Sequence, residues 1–403
     1  MRVLILSATT GGGHMRAANA LKDYILSKSP ESEILISDTL QYVSPFLNKA
    51  VTEGYVYMAT KTPKVYGTVY KASDKDNTLN KTVNIATNQL RKRLLPLIEE
   101  FKPDIIITTH AFTTEMATYL KTAGEINIPI ISIITDFAVH KTYISDGVDA
   151  YILSSREMVD QMLERGVDRV KLYPYGIPVK SSFLEPIDRE KAFESEGLDP
   201  SIPTILIMAG SFGVTDVLKI YHKIVRSPCD FQIITITGKN EKLYETFDRY
   251  LSKITLNNTI VELRGEHKPK SSLLPFTSKH SKPAKPTRLL YYTDEVEKYM
   301  HMADLIVTKP GGLTVSEAIA SDLPMAIFKA IPGQEEQNAD FLVRNNMAVR
   351  LEKDKTCTQT ITRLLSNNGE LENMKQSIKE FSKGNSAENI YLLMQELVQK
   401  YNS

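Results

Sequence analysis

Short apolar runs rich in β-branched residues recur along the chain: Val3–Leu6, Ile34–Ile36, Asp104–Thr109, Ile130–Thr135 and Ala150–Leu153. Their lengths and their bounding glycines, prolines and charges predict strands. Between the first two, Ala17, Ala18, Leu21, Tyr24 and Ile25 fall on one face of a helix. Helix-length stretches separate the others, and this alternation predicts a parallel sheet covered by helices. The rhythm breaks between 176 and 203, where Pro178, Pro186, Pro200 and Pro203 sit among charges and predict a linker. It resumes with Thr204–Met208, Gln232–Thr237, Thr259–Leu263, Leu305–Val307 and Met325–Phe328. Residues Ser386–Tyr401 read as a final amphipathic helix. Two α/β halves of similar size, joined near residue 180 and facing a cleft, follow from the pattern, and ligands in such sheets sit beyond the carboxyl ends of the strands.

Two regions depart from it. Residues 42–93 carry nine Lys/Arg against three Asp/Glu, interleaved with Tyr55, Tyr57, Tyr66 and Tyr70. Residues 265–288 carry six Lys/Arg, one acid and four prolines, and predict an extended loop. Over all 403 residues the net charge is only +1, which argues against wholesale nucleic-acid binding. The two cysteines, Cys229 and Cys357, cannot build a disulfide framework or a thiolate zinc site, and fit a reducing compartment. No apolar run approaches the ~18–20 residues of a membrane span. The opening Met1–Leu6 lacks the features of a signal peptide. A cytoplasmic protein that can still touch a membrane surface is expected.

Gly11-Gly12-Gly13-His14 follows a strand and opens a helix, where glycine permits close approach and the helix start favours negative charge. A dinucleotide fingerprint would need a third glycine at position 16, where Arg16 stands, although Asp38 is placed as a ribose-binding acid would be. His14 is either an ordinary turn residue or a proton-transfer group facing the cleft. Ala209–Gly213 is a short glycine loop after the first strand of the second half and a plausible phosphate cradle, but lacks P-loop spacing. Lys309–Glu317 runs from a strand through Gly311-Gly312 into a helix. The amides there can hold a diphosphate, and Glu317 can accept hydrogen bonds from two ribose hydroxyls or merely complement the helix dipole. Pro332–Asn338 offers donors and acceptors suited to a sugar. Asp74-Lys75-Asp76 reads as a surface turn, and no cluster has metal spacing, so no metal and no cofactor are expected.

Together the Gly-Gly-Gly-His opening, Thr308–Ala318 and Pro332–Asn338 resemble the monogalactosyldiacylglycerol synthase and processive diacylglycerol glucosyltransferase group, relatives of the peptidoglycan N-acetylglucosaminyltransferase in glycosyltransferase family 28. The resemblance covers nearly the whole chain. It implies the GT-B fold, with two Rossmann-like domains facing a cleft: an acceptor-binding, membrane-facing domain (1–180), a UDP-sugar-binding domain (181–385), and a C-terminal helix (386–403) packing back on the first. It further implies that Gly210, Ser211 and Gly213 face the diphosphate and that Tyr292 and Thr293 contact uracil. Gly311, Gly312, Leu313 and Thr314 would hold the phosphates, Glu317 the ribose, and Gln334, Glu335 and Asn338 the sugar or its phosphate. His14 would be the base, Asp136 its alternative or helper, and Gly13 and His140 would lie on the acceptor side. The family often has tryptophan where this chain has Tyr143, and residues 265–288 look like an insertion.

The implied activity is inverting transfer of a hexose from UDP-glucose or UDP-galactose to diacylglycerol or a glycosyl-diacylglycerol, without a metal. The implied location is the inner face of the cell membrane, on an anionic surface. Another lipid-linked acceptor, or a non-catalytic UDP-sugar sensor, remain the alternatives.

Overall fold

A computed structural model describes the chain except residues 10–11, 47, 50–53, 55–56, 59–61, 75–91, 209–213, 266–284, 353–355, 367 and 383. The first half is a six-stranded, all-parallel sheet of β1 (Arg2–Ser7), β2 (Glu33–Asp38), β3 (Ile105–Thr108), β4 (Ile130–Ile133), β5 (Ala150–Ile152) and β6 (Leu172–Tyr173), in the order β2-β1-β3-β4-β5-β6. The second half repeats the design with β7 (Thr204–Met208), β8 (Gln232–Ile236), β9 (Thr287–Leu290), β10 (Leu305–Thr308), β11 (Met325–Phe328) and β12 (Ala348–Leu351), in the order β12-β11-β10-β7-β8-β9. Their buried, β-branched sequences explain the parallel pairing, since parallel sheets require cover on both faces.

Each sheet reverses its winding once, between β1 and β3 in the first half and between β7 and β10 in the second. Chains leaving those strands diverge and open a crevice at the carboxyl ends. Six helices matter for the site: α1 (Gly13–Lys28), α2 (Pro63–Ser73), α3 (Ala111–Thr122), α4 (Gly312–Ala320), α5 (Gln334–Arg344) and α6 (Ser386–Asn402). Gly12, before α1, has φ +75°, a left-handed conformation that turns the chain sharply out of β1. Asn385 caps α6 by accepting from the Glu388 N–H. The inner face of α6 (Ala387, Ile390, Leu393, Met394 and Leu397) packs with Val3, Ile5, Ala18, Leu21 and Ile25 of the first half.

Three expectations are corrected. Thr259–Leu263 is not a strand: it lies in a helix spanning Glu241–Gly265, and Thr287–Leu290 takes the sheet position beside β8. The 265–288 region therefore ends in a strand, while 266–284 lies outside the described residues. The linker at 176–203 contains a helix, Arg189–Glu196, capped by Asp188 and closed by Gly197 at φ +66°. Strands β6 and β12 are additional to the apolar runs of the sequence.

The halves touch directly. Phe137, after β4, stacks on Phe341 of α5 with ring centroids 5.2 Å apart. A Cβ on Gly312 would stand 1.9 Å from the carbonyl oxygen of Thr135, so only glycine fits where these backbones meet. A Cβ on Gly67 would lie 2.7 Å from Pro332.

Candidate active site

Loops from β1, β3 and β4 converge with α2 on a cleft of about 400 Å³, lined by His14, His110, Phe112, Asp136, Tyr66 and Gln334 among others. His14 is the second residue of α1, and its Nδ1 lies 2.7 Å from the Thr109 carbonyl oxygen and 2.9 Å from Thr135 Oγ1. A carbonyl only accepts, so Nδ1 carries the proton and Nε2 keeps its lone pair. Desolvation lowers the His14 pKa below 6.5, and Asp136 opposes that shift. Within the pair, desolvation pushes Asp136 up, while the amide of Asn338 and the two histidines, His14 and His140, hold it down.

His110 was not singled out from the sequence. Its ring stands edge-to-face with His14, centroids 4.8 Å apart, and its Nδ1 accepts from the Phe112 N–H. Burial lowers its pKa to about 3, so it stays neutral beside His14. It follows β3 as His14 follows β1, so its place at a strand's carboxyl end was the available signal. Tyr66 and Tyr70 are two of the tyrosines interleaved in the basic 42–93 region. They point across the cleft: the Tyr66 hydroxyl donates to Gln334 Oε1 at 2.7 Å and that of Tyr70 to Gln337 Oε1 at 3.1 Å. His140, on the cleft wall, is held at both ring nitrogens. Nδ1 accepts from the Thr142 N–H at 3.3 Å, and Nε2 donates to the Tyr70 carbonyl at 3.1 Å, which ties α2 to the loop after β4. Asp74, read as part of a surface turn, accepts from the Lys141 N–H and pairs with Arg165 at 3.1 Å.

Across the cleft, α4 starts with its first N–H groups free of intrahelical partners. A Cβ on Gly311 would meet nothing within 4 Å, so this glycine faces open space, while Gly312 is closed against Thr135 and Gly13 approaches Leu313. Thr314 is partly exposed beside them. Glu317 is 4% exposed, and burial raises its pKa to about 7. Its carboxylate is met by Arg16 of α1 at 3.2 Å. Tyr292 is half exposed, its hydroxyl donates to Asp294, and Lys239 sits 4.8 Å from its ring centroid. Thr293 Oγ1 accepts from the Glu295 N–H. Glu335 accepts from the Ile331 N–H, and burial raises its pKa against the pull of nearby Lys309. Gly210, Ser211 and Gly213 lie outside the described residues. Thus His14, Asp136, His140, Gln334 and Asn338 come together at one end of the crevice, and Glu317, a turn into α4, is joined to Arg16 of α1. Tyr292 and Thr293 follow β9, with Tyr292 close enough to Arg16, the partner of Glu317, to feel its charge. Among the described residues no group of three or more His, Cys, Asp or Glu side chains could hold a metal ion.

Two family models match the chain: monogalactosyldiacylglycerol (MGDG) synthase over residues 14–179 and the glycosyltransferase family 28 C-terminal domain over residues 204–397. The processive diacylglycerol beta-glucosyltransferase of Bacillus pumilus (strain SAFR-032) is 28% identical over 389 residues, 96% of this chain and 93% of its own. Its namesake in Bacillus subtilis (strain 168) is 27% identical over 388 residues, with the same shares covered. Among solved structures, Acinetobacter baumannii MurG has a TM-score of 0.58 at 14% identity, covering 98% of this chain and 99% of that one. The UDP-GlcNAc 2-epimerase of Neisseria meningitidis, bound to UDP-GlcNAc, has a TM-score of 0.60 at 13% identity, covering 98% and 100%. The two facing parallel sheets are thus those of the GT-B fold, as the motifs led us to expect.

Proposed function

This chain belongs to the glycosyltransferase family of the monogalactosyldiacylglycerol synthases, and from that premise we propose that it transfers a hexose from a UDP-sugar to the hydroxyl of diacylglycerol or a glycosyl-diacylglycerol. The observation that carries the reading is His14. Its proton is fixed on Nδ1 by a backbone carbonyl, and its basic nitrogen is left for the cleft that faces the start of α4. The acceptor oxygen forms a bond to the anomeric carbon as the bond from that carbon to the UDP oxygen breaks. The hydroxyl proton passes to His14 Nε2, and Asp136 stabilises the resulting imidazolium. Attack opposite the leaving group inverts the configuration, so an α-linked donor yields a β-glycoside. The charge developing on UDP is taken up by the Leu313 and Thr314 amides at the start of α4, with no metal required. Glu317 exchanges its Arg16 partner for the ribose hydroxyls.

Glucose is the hexose we favour, because the relatives matching 96% of this chain are named glucosyltransferases. A diacylglycerol acceptor stays in its bilayer, so the enzyme must reach the surface. No helix among the described residues is long and apolar enough to cross a membrane. Helix α2 presents Val65 and Val69, 54% and 50% exposed, the latter at the rim of the cleft, beside Lys64 and Lys71, and Phe46 and Tyr57 of the same half are exposed as well. That combination suits adsorption to an anionic headgroup layer. Lys92 and Arg93 are already engaged, with Glu125 and with the Val43 carbonyl, and contribute less to such a surface. The test is mass spectrometry of lipid products after incubation with UDP-glucose or UDP-galactose, with and without diacylglycerol. A glucosylated lipid is expected; UDP release that ignores the lipid, or none with either donor, overturns the reading.

A further inference from the structure

The side chain of Asn338 is fully buried, and its hydrogen bonds run across the cleft rather than into it. Its Oδ1 accepts from the Phe137 N–H at 2.8 Å. Its Nδ2 donates both protons, one to the Pro310 carbonyl at 3.0 Å and one to Asp136 Oδ1 at 3.1 Å. The orientation of the amide is forced, because a backbone N–H needs an acceptor and a carbonyl needs a donor. Asp136 therefore always meets an N–H here. Only one lone pair of this side chain is left for any ligand.

Asn338 belongs to α5 of the donor half, whereas Asp136 follows β4 of the acceptor half. We infer that Asn338 is a positioning residue, which on closure of the cleft fixes the orientation and the charge of Asp136. In this way the donor half completes the proton-accepting pair of the acceptor half. The inference rests on the reading of His14 and Asp136 as that pair. An N–H donor favours the carboxylate over the carboxylic acid. In the open state Asp136 would lose that donor along with the neighbouring contacts of Phe137. Proton acceptance is then available only when the halves are together, which keeps the base idle until both substrates are enclosed.

The groups facing Asp136 are His14 from α1, His140 and Tyr143 from the loop after β4, Tyr66 and Tyr70 from α2, and Glu335 from α5. Tyr66, Tyr70 and Tyr143 are pushed up by burial and stay neutral through the working range. The acid limb of turnover thus belongs to the Asp136–His14 pair as a unit.

The experiment follows transfer from UDP-glucose to diacylglycerol in mixed micelles across pH, for Asn338→Ala, Asn338→Asp and Asp136→Asn. With Asn338→Ala, the acid limb of kcat should move up by about one pH unit, a roughly tenfold loss on that limb that recovers at alkaline pH. The KM for UDP-glucose should stay within about threefold. Asn338→Asp keeps the shape and puts a second carboxylate beside Asp136, so it should move the limb further, and it serves if the alanine variant fails to fold. A tenfold rise in KM with an unshifted limb would make Asn338 a sugar ligand and overturn the inference. So would a uniform loss at all pH values. Normal turnover in Asp136→Asn would remove the base-pair reading as well; a slow Asp136→Asn with unshifted Asn338 variants removes only the inference.

Discussion

Adjacent glycines at the start of α4 should respond to alanine in opposite ways. At Gly312 the added Cβ would meet the Thr135 carbonyl oxygen at 1.9 Å and its carbon at 2.9 Å, both backbone atoms that cannot rotate away. At least about 1 Å of separation is needed to reach even the 3.0 Å that real contacts respect. Overpacking of this kind costs about 1–3 kcal/mol. It is relieved most simply by parting the halves, because each has its own sheet. A parting of 1 Å would stretch the 3.1 Å Asn338–Asp136 bond beyond hydrogen-bond length. Misplacement on this scale lowers turnover by about 10²-fold. Gly312→Ala is therefore expected to fold, to bind UDP within about threefold of the parent by calorimetry, and to lose about 10²-fold in kcat. At Gly311 a Cβ meets nothing within 4 Å and its φ of −71° suits alanine. Gly311→Ala should leave the closed state intact and weaken UDP binding, because the methyl enters the space a phosphate would need. Near-normal turnover in Gly312→Ala would refute the argument that this glycine exists to let the halves meet.

His14→Ala should lower turnover by about 10²–10⁴-fold with UDP affinity nearly unchanged; a mutant that turns over normally would reduce His14 to a turn residue. Glu317→Gln should lose about 1.5–3 kcal/mol of UDP binding by calorimetry, as a charged hydrogen-bond acceptor is removed. The same substitution has a pH signature: burial raises the Glu317 pKa from 4.5 to about 7, so folding favours its protonated form. That contribution is full below about pH 4.5 and fades as pH rises through 7, so the glutamine variant should gain about 1–3 kcal/mol over the parent at pH 8 and almost nothing at pH 4.5. Thermal melts at both pH values check this, and an equal gap at both would count against it. Val65→Asp with Val69→Asp should abolish co-sedimentation with anionic vesicles while sparing UDP binding, and retained co-sedimentation would place the membrane contact elsewhere.

The sheets were legible because their strands are uniformly apolar: Ile105–Thr108 and Thr204–Met208 admit no other period. Thr259–Leu263 misled because a short β-branched run fits either a strand or one turn of a longer helix, and its periodicity alone does not decide. Leu172–Tyr173 is too short to leave a pattern, and Arg350 interrupts the apolar run of β12. In the site, His14 was legible because a glycine turn between strand and helix is a local signal. The partners that define its chemistry are not local: the Thr109 carbonyl lies 95 residues away and Thr135 lies 121 away. Tyr66 and Tyr70 gave no local sign of a cleft role because they are interleaved with the lysines of a basic stretch. Their partners, Gln334 and Gln337, lie 268 and 267 residues further along the chain, beyond the reach of any local pattern.

The helix α6 has a consequence for how the protein is made. Its apolar face covers Ala18, Leu21 and Ile25, which leave the ribosome hundreds of residues earlier. Translation at roughly 5–20 residues per second separates the two events by tens of seconds. During that interval the first half has its strands but not its cover, and a greasy patch around Val3, Ile5 and Leu21 stays open to water. A nascent chain in this state is a natural client for a holding chaperone. Stalling or truncation before residue 386 should then yield a product that is captured or degraded, and the first half would mature only after the second has been synthesised.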